Sequence, residues 1–168
     1  MVAVFATTVC IKINGRADFT LSMDLKKLIG EFWTKGYNHF IFELQDCLTM
    51  DSTFLGVLSG IGLKFSGGEN VQVGAPLELF NPNSRIAETL ENLGVVDLFS
   101  VKHGSPPVSG LFEPLPQTSG STQAELTQNC LEAHETLIAI HPENVQKFKD
   151  VTQLLSDNLK RSEAGGDA

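Results

Sequence analysis

The chain has 168 residues, 42% of them hydrophobic, and a formal net charge of -8. This length suits one domain with an appendage, and the apolar fraction is sufficient for a packed core. The acidic charge argues against non-specific binding to nucleic acid or to an anionic membrane, because both require a basic face.

The cysteines and the start of the chain give no sign of secretion or of a metal site. Cys10, Cys47 and Cys130 are odd in number and form no CxxC pair, so neither a disulfide framework nor zinc is predicted. The apolar start has no basic region, and Lys12 arrives too early for a signal peptide. No run reaches the roughly 18 apolar residues of a membrane span. We therefore expect a cytoplasmic protein without metal or cofactor.

The N-terminal part alternates between strand and helix patterns. Residues 2–13 are strand-like, and a helix follows for which Ser22 is a candidate cap and Gly36 a candidate stop. In residues 39–47, HFIFELQDC, apolar side chains recur with a period of two, which is typical of a strand with one strongly apolar face.

A second helix is predicted immediately after Asp51. Its buried side would carry Phe54, Leu55, Leu58 and Ile61. Further along, the pattern predicts a short strand at 70–73, a turn and helix cap at 81–84, and a last edge strand within 95–101. Strand–helix alternation of this kind predicts an α/β fold with a mostly parallel sheet packed by helices.

The C-terminal part has a different composition. Eleven of the 18 residues at 104–121 are Gly, Pro or Ser, which indicates a linker or an extended arm. Residues 122–168 form a helical tail interrupted at Pro142. Its apolar stripe must be covered by its own domain, by a partner or by self-association. We therefore divide the chain into a domain at 1–103, a linker at 104–121 and the tail.

Patterns for catalysis are weak in this sequence. Gly60 and Gly62 lie within a predicted helix, where a dinucleotide loop does not occur, and no phosphate-loop motif is present. Ser52 lacks the glycine that flanks a hydrolase nucleophile and has no histidine near it in sequence, so a Ser52 enzyme is the weakest hypothesis. The histidines show no metal-ligand spacing and are interpreted as surface residues: His39, His103, His134 and His141.

Two adjacent hydroxyls stand at the start of the second helix. Asp51 is predicted to be its N-cap, with Ser52 and Thr53 at the first two helical positions. In open α/β sheets, partners favour the carboxyl ends of the strands, where these side chains would project. A phosphate there adds about -1.5 to -2 charge, and it would release a closely packed partner without unfolding the domain.

The segment HFIFELQDCLTMDSTFLGVL resembles the central motif of STAS domains, especially those of bacterial anti-sigma factor antagonists. The family pattern is a hydrophobic strand, a short loop and then D-S-[ST]-G-L opening a helix. Asp51, Ser52, Thr53 and Leu55 match it, whereas Phe54 replaces the usual glycine. GRADFT and ETLENLGVVDLF are similar to two further family segments, so the resemblance covers residues 1–101 in the right order. It implies a STAS-like mostly parallel sheet, here with a C-terminal helical extension.

The resemblance implies a binding module and no catalytic residues. Unphosphorylated members bind a serine/threonine kinase that doubles as an anti-sigma factor, which frees a sigma factor for transcription. The kinase phosphorylates the second hydroxyl of the motif, here Thr53 with Ser52 as second choice, and a phosphatase resets the switch. The implied partner surface comprises Asp18, Asp51, Ser52, Thr53 and Phe54.

Some STAS domains act without a phospho-switch. A scaffold or sensor that works by partner binding or by a homodimer through the helical tail is therefore the alternative function. The tail itself has no counterpart in the minimal domain, so the resemblance assigns it no role.

Overall fold

The computed structural model describes residues 1–66, 77–108, 110–115 and 120–165. The strands are β1 (Val2–Phe5), β2 (Thr8–Lys12), β3 (Gly15–Ala17), β4 (His39–Glu43), β5 (Cys47–Met50), β6 (Leu77–Phe80) and β7 (Ser100–Lys102). The helices are α1 (Phe19–Thr34), α2 (Ser52–Ser66), α3 (Ser84–Asn92), α4 (Gln123–Ile140) and α5 (Asn144–Gly165), with a 3-10 turn at Val96–Leu98.

The main sheet has the strand order β1-β2-β4-β6-β7. β1 and β2 form an antiparallel hairpin, and the pairs β2–β4, β4–β6 and β6–β7 are parallel. β3 and β5 form a separate parallel pair that runs into α1 and α2. The predicted α/β fold with a mostly parallel sheet packed by helices is confirmed.

The larger core lies on one face of the sheet. It joins alternate residues of the central strands, such as Phe40 and Phe42, to the inner faces of α1, α2 and α3 and to Ala133 and Leu137 of α4. The stripe predicted for the second helix is confirmed, because Phe54, Leu55 and Leu58 are fully buried in this core.

The opposite face of the sheet carries a smaller core. Ala3, Cys10, Ile41 and Phe80 are buried there together with Val108, which follows β7. The chain beyond Val108 then forms a bridge with β1, in which the Val2 amide donates to the Glu113 carbonyl at 2.8 Å. The described part of the Gly/Pro/Ser-rich segment is therefore an arm packed on the sheet.

Three local expectations differ from the structure. Ser22 does not cap α1; the helix begins four residues earlier, because Asp18 Oδ1 accepts hydrogen bonds from the Thr20 and Leu21 amides at 3.1 Å each. The edge strand expected within 95–101 is reduced to β7, preceded by the 3-10 turn. β3 and β5 were not predicted. The strand expected at 70–73 lies outside the described residues.

The helical tail folds back as a hairpin, here called the tail hairpin (α4 and α5). A capping box of Thr122 and Glu125 starts α4, and α5 begins after Pro142, where an interruption was predicted. The fully buried Asn144 ties the turn to the domain, donating from Nδ2 to the Leu93 carbonyl at 2.9 Å and to the Leu137 carbonyl at 2.8 Å. The apolar stripe of α4 is thus covered by its own domain, the first of the three expected arrangements.

Candidate functional site

One carboxylate joins the N-termini of α1 and α2. Asp51 Oδ1 accepts a hydrogen bond from the Phe54 amide at 2.7 Å, and Oδ2 accepts one from the Phe19 amide at 2.8 Å. The Asp51 amide donates to the Ala17 carbonyl at 3.0 Å, which fixes the end of β5 against the end of β3. The predicted N-cap of α2 is confirmed, and Asp51 also anchors the start of α1.

The two helix starts therefore share one corner of the domain. Asp18 caps α1 and Asp51 caps α2, so two carboxylates face the free amides and positive dipole ends of adjacent helices. Ser52 and Thr53 follow Asp51 directly at this corner. We call Asp18, Asp51, Ser52 and Thr53 the hydroxyl site.

The hydroxyls of this site do not project into solvent. Thr53 is 5% exposed, and its Oγ1 donates to Cys130 Sγ of α4 at 3.6 Å. Ser52 is half-buried, and its Oγ lies 2.9 Å from His134 Nε2 of the same helix. Both side chains that were expected to be free thus contact the tail hairpin.

Phe54 is not part of this surface. Its side chain is 0% exposed and lies in the main core. The structure therefore brings together four of the five residues expected at a partner surface, and it places the fifth where a docked partner cannot reach it.

His134 corrects two expectations about the histidines. It is 5% exposed, not a surface residue, and it lies beside Ser52 although 82 positions separate them in the chain. Its Nδ1 lies 2.7 Å from the Cys130 carbonyl, so Nδ1 carries the proton and Nε2 accepts from the Ser52 hydroxyl. The ring of Phe148 in α5 packs edge-on at 4.9 Å.

The Ser52–His134 pair has part of the geometry of a nucleophile and its base. In such triads a buried carboxylate orients the histidine and stabilises its charged form, whereas here a neutral carbonyl takes that place. The open groove between α1, α4 and the end of α5, lined by Met23, Gln128 and Leu159 among others, does not include Ser52. The pair serves to hold two helices together.

The contact between α2 and α4 is close. A Cβ atom added at Gly56 would lie 2.4 Å from the Ala133 carbonyl oxygen, so only glycine lets the two backbones approach this far. One turn further along, a Cβ at Gly60 would meet Thr136 Cγ2 at an ordinary 3.6 Å. This close approach brings Cys130 into contact with the Thr53 hydroxyl and His134 into contact with the Ser52 hydroxyl.

α4 also spans to α1. The buried Asn129 donates from Nδ2 to Ser22 Oγ at 2.9 Å, and Lys26 pairs with Glu132 at 2.9 Å on the exposed rim. Ser22, once a candidate cap, is 0% exposed beneath α4. The tail hairpin therefore lies across the starts of both helices that carry the hydroxyl site.

The electrostatics of the site keep the thiol neutral. Burial raises the pKa of Cys130, the nearby Asp51 carboxylate adds to this rise, and the hydrogen bond from Thr53 opposes it. A neutral thiol is a weak acceptor that holds Thr53 loosely. Within the described ranges no cluster of three or more His, Cys, Asp or Glu side chains could hold a metal ion.

The fold agrees with one family. The family model of the STAS domain matches residues 1–108. The chain belongs to the STAS domain family. The match ends before the tail hairpin, so α4 and α5 are additions to the STAS domain.

Solved structures of anti-sigma factor antagonists share this STAS fold. A putative one from Thermotoga maritima, TM1081, is 20% identical with a TM-score of 0.53, covering 61% of this chain and 84% of that one. SpoIIAA in its unphosphorylated form is 17% identical with a TM-score of 0.51, covering 60% of this chain and 85% of that one. An NMR structure of TM1081 is 23% identical with a TM-score of 0.51, covering 60% and 77%. At these identities the likeness shows the fold alone.

Two searches found nothing. No curated protein sequence matches this chain significantly. Among the helices that the structure describes, none is long and apolar enough to cross a membrane.

Proposed function

We propose that this STAS protein is an anti-sigma factor antagonist regulated by phosphorylation. In its unphosphorylated form it binds a serine/threonine kinase that acts as an anti-sigma factor, and this frees a sigma factor for transcription. The observation that supports the proposal is the position of Ser52 and Thr53 directly after the capping Asp51, at the corner where the starts of α1 and α2 meet.

Thr53 is the proposed phosphorylation site, with Ser52 as second choice. A phosphate there adds about -1.5 to -2 charge beside the Asp51 carboxylate. A partner packed on the hydroxyl site would face this charge without solvent, which costs several kcal/mol, so phosphorylation ends the complex and a phosphatase restores it. Asp18, Asp51 and Ser52 are the remaining proposed contacts with the kinase, because they surround Thr53 at the same corner.

A second function is favoured by the burial of Thr53. With 5% of Thr53 exposed, a STAS scaffold or sensor that acts by partner binding or by self-association, without phosphorylation, has support of its own. The two functions differ in whether a phosphate is ever added.

The experiment uses the full chain, ATP and a serine/threonine kinase of the anti-sigma type encoded in the same genome. We expect the intact mass to rise by one phosphate, and we expect Thr53→Ala to abolish the gain while Ser52→Ala retains it. If Thr53→Ala gains the mass of a phosphate and Ser52→Ala does not, the phosphorylation site is Ser52. Binding of the kinase without any gain in mass supports the scaffold function.

A further inference from the structure

The tail hairpin covers the surface on which the proposed function depends. α4 contacts Ser52 through His134, Thr53 through Cys130 and the start of α1 through Asn129. A kinase domain that reaches the Thr53 hydroxyl needs the space that α4 occupies. Docking of α4 and access to Thr53 therefore exclude each other.

The interface has features of a contact that separates. Three of its links join polar groups on α4 to hydroxyls of Ser22, Ser52 and Thr53, and these hydroxyls can bond to water when α4 leaves. The Asn129 Oδ1 atom is buried there without a hydrogen-bond partner, and water would supply one on opening. Docking of α4 thus carries a desolvation cost that a purely apolar contact does not have.

The covalent link makes α4 an effective competitor. The tail hairpin follows the STAS domain in the same chain, so its local concentration at the hydroxyl site is set by the connection and reaches the millimolar range for short flexible links. A free partner displaces α4 only if the partner's concentration exceeds this local concentration or if the partner binds more tightly than α4 does. The kinase would then act only on the fraction of molecules in which α4 has left.

We propose that α4 is an intramolecular cover of the hydroxyl site, which must leave before a regulator binds or phosphorylates Thr53. The inference rests on the proposed function for the identity of the competitor. It adds that the unphosphorylated chain is held inactive by its own tail hairpin, and that opening of this hairpin is a regulated step.

Gly56 offers a way to open the cover in the full chain. In Gly56→Ala the new Cβ would lie 2.4 Å from the Ala133 carbonyl oxygen, which forces α4 away from α2. Alanine also strengthens α2 itself relative to glycine, so the change does not unfold that helix. The matched control is Gly60→Ala, on the same helix and facing the same partner at an ordinary 3.6 Å.

The first readout is chemical and needs no kinase. Alkylation of Cys130, which is only partly buried in the closed chain, by a small thiol reagent should be about tenfold or more faster in Gly56→Ala than in the wild type and in Gly60→Ala, because its Sγ contacts Thr53 of α2. Cys10 and Cys47, both in the buried core, should stay unmodified and so report that the domain is folded. Equal Cys130 rates in the wild type and in both variants would overturn the cover.

A disulfide provides the opposite state. Gly60 faces Thr136 across the interface, with an added Cβ 3.6 Å from Thr136 Cγ2, so a cysteine at each position is the candidate pair for a disulfide that would lock α4 onto α2 while leaving Ser52 and Thr53 intact. With the kinase and ATP, we expect the oxidised Gly60→Cys/Thr136→Cys chain to gain no phosphate until a reductant is added. Gly56→Ala should gain it about tenfold faster than Gly60→Ala.

The outcomes separate the two proposals. Equal phosphorylation of the oxidised lock and of Gly56→Ala overturns the cover and leaves the proposed function standing. If Cys130 becomes reactive in Gly56→Ala but no variant gains phosphate, the proposed phosphorylation fails, and with it the competition between α4 and the kinase.

Discussion

At the residue scale, Asp51 organises the site before any partner arrives. Its two oxygens accept one amide from each of two helices, at 2.7 Å from Phe54 and 2.8 Å from Phe19. A negatively charged cap is favourable at a helix N-terminus, because the N-terminal end of the helix dipole is positive. The same residue thus fixes the corner of the fold and positions the hydroxyls that follow it.

Replacing Asp51 tests this double role. Asp51→Ala removes two capping bonds, so we expect the free energy of unfolding to fall by about 1–3 kcal/mol, against about 1 kcal/mol for the single α3 cap in Asn83→Ala. The loss of unfolding free energy in Asp51→Asn should lie between those of Asp51→Ala and Asn83→Ala, because the asparagine amide retains one acceptor oxygen. Urea denaturation monitored by circular dichroism measures all three. If Asp51→Ala is no less stable than Asn83→Ala, Asp51 does not join the helices.

Thr53 provides a second test at this scale. Thr53→Glu places a carboxylate under α4, next to the Asp51 charge and the neutral Cys130 thiol. We expect α4 to be displaced and the alkylation of Cys130 to speed up, as a phosphate on Thr53 would also cause. Thr53→Val keeps the shape without the charge and should leave Cys130 protected. A glutamate variant as protected as the valine variant would contradict the account.

At the element scale, α4 determines what the STAS domain presents to its surroundings. α2 carries the hydroxyl site, and α4 lies against it along two turns marked by Gly56 and Gly60. α5 packs on α4 and leaves Leu154 59% exposed. The tail hairpin thus covers one surface of the domain and offers a new one.

The sequence predicted the elements whose signals are local. The stripe from Phe54 to Ile61, the cap at Asp51 and the interruption at Pro142 depend on neighbours within a few residues, and the structure contains all three. The predicted start of α1 was four residues too late, because Asp18 and Ser22 are both good capping residues. Only the hydrogen bonds that Asp18 accepts from the first turn decide between them. β5 is short and carries Leu48 at 66% exposure, so it lacks an alternating apolar pattern.

The docking of α4 was beyond what the sequence could show. Ser52 and His134 are 82 positions apart, and nothing in the local pattern of either residue names the other. The predicted apolar stripe required only that something cover α4, and three arrangements met that requirement. The choice depends on Gly56, which has no special meaning in sequence until a second backbone lies 2.4 Å from the position of its missing Cβ.

At the scale of the whole molecule, the chain is a STAS domain joined to its own cover. The opposite face of the sheet is closed by the arm that carries Val108 and Glu113, so the tail hairpin is attached to a domain with both sheet faces already packed. Release of α4 therefore exposes the hydroxyl site and removes Ala133 and Leu137 from the main core.

Self-association through the tail is the alternative proposal at this scale. In the closed chain Leu131, Ala133 and Leu137 are buried, so we expect the wild type to scatter light as a monomer of 18.2 kDa. Gly56→Ala frees these side chains, and its mean mass should rise with concentration, whereas that of Gly60→Ala should not. A wild-type dimer that Gly56→Ala leaves unchanged would assign the tail hairpin to assembly.

The most direct test of the central claim is a count of the phosphates added to the opened chain. Gly56→Ala is incubated with the kinase and ATP, with and without the additional change Thr53→Ala, beside the wild type, and intact masses are followed over time. The account predicts one phosphate on Gly56→Ala, a gain about tenfold slower on the wild type, and none on the double variant. A wild-type rate equal to that of Gly56→Ala, or a phosphate retained without Thr53, would contradict it.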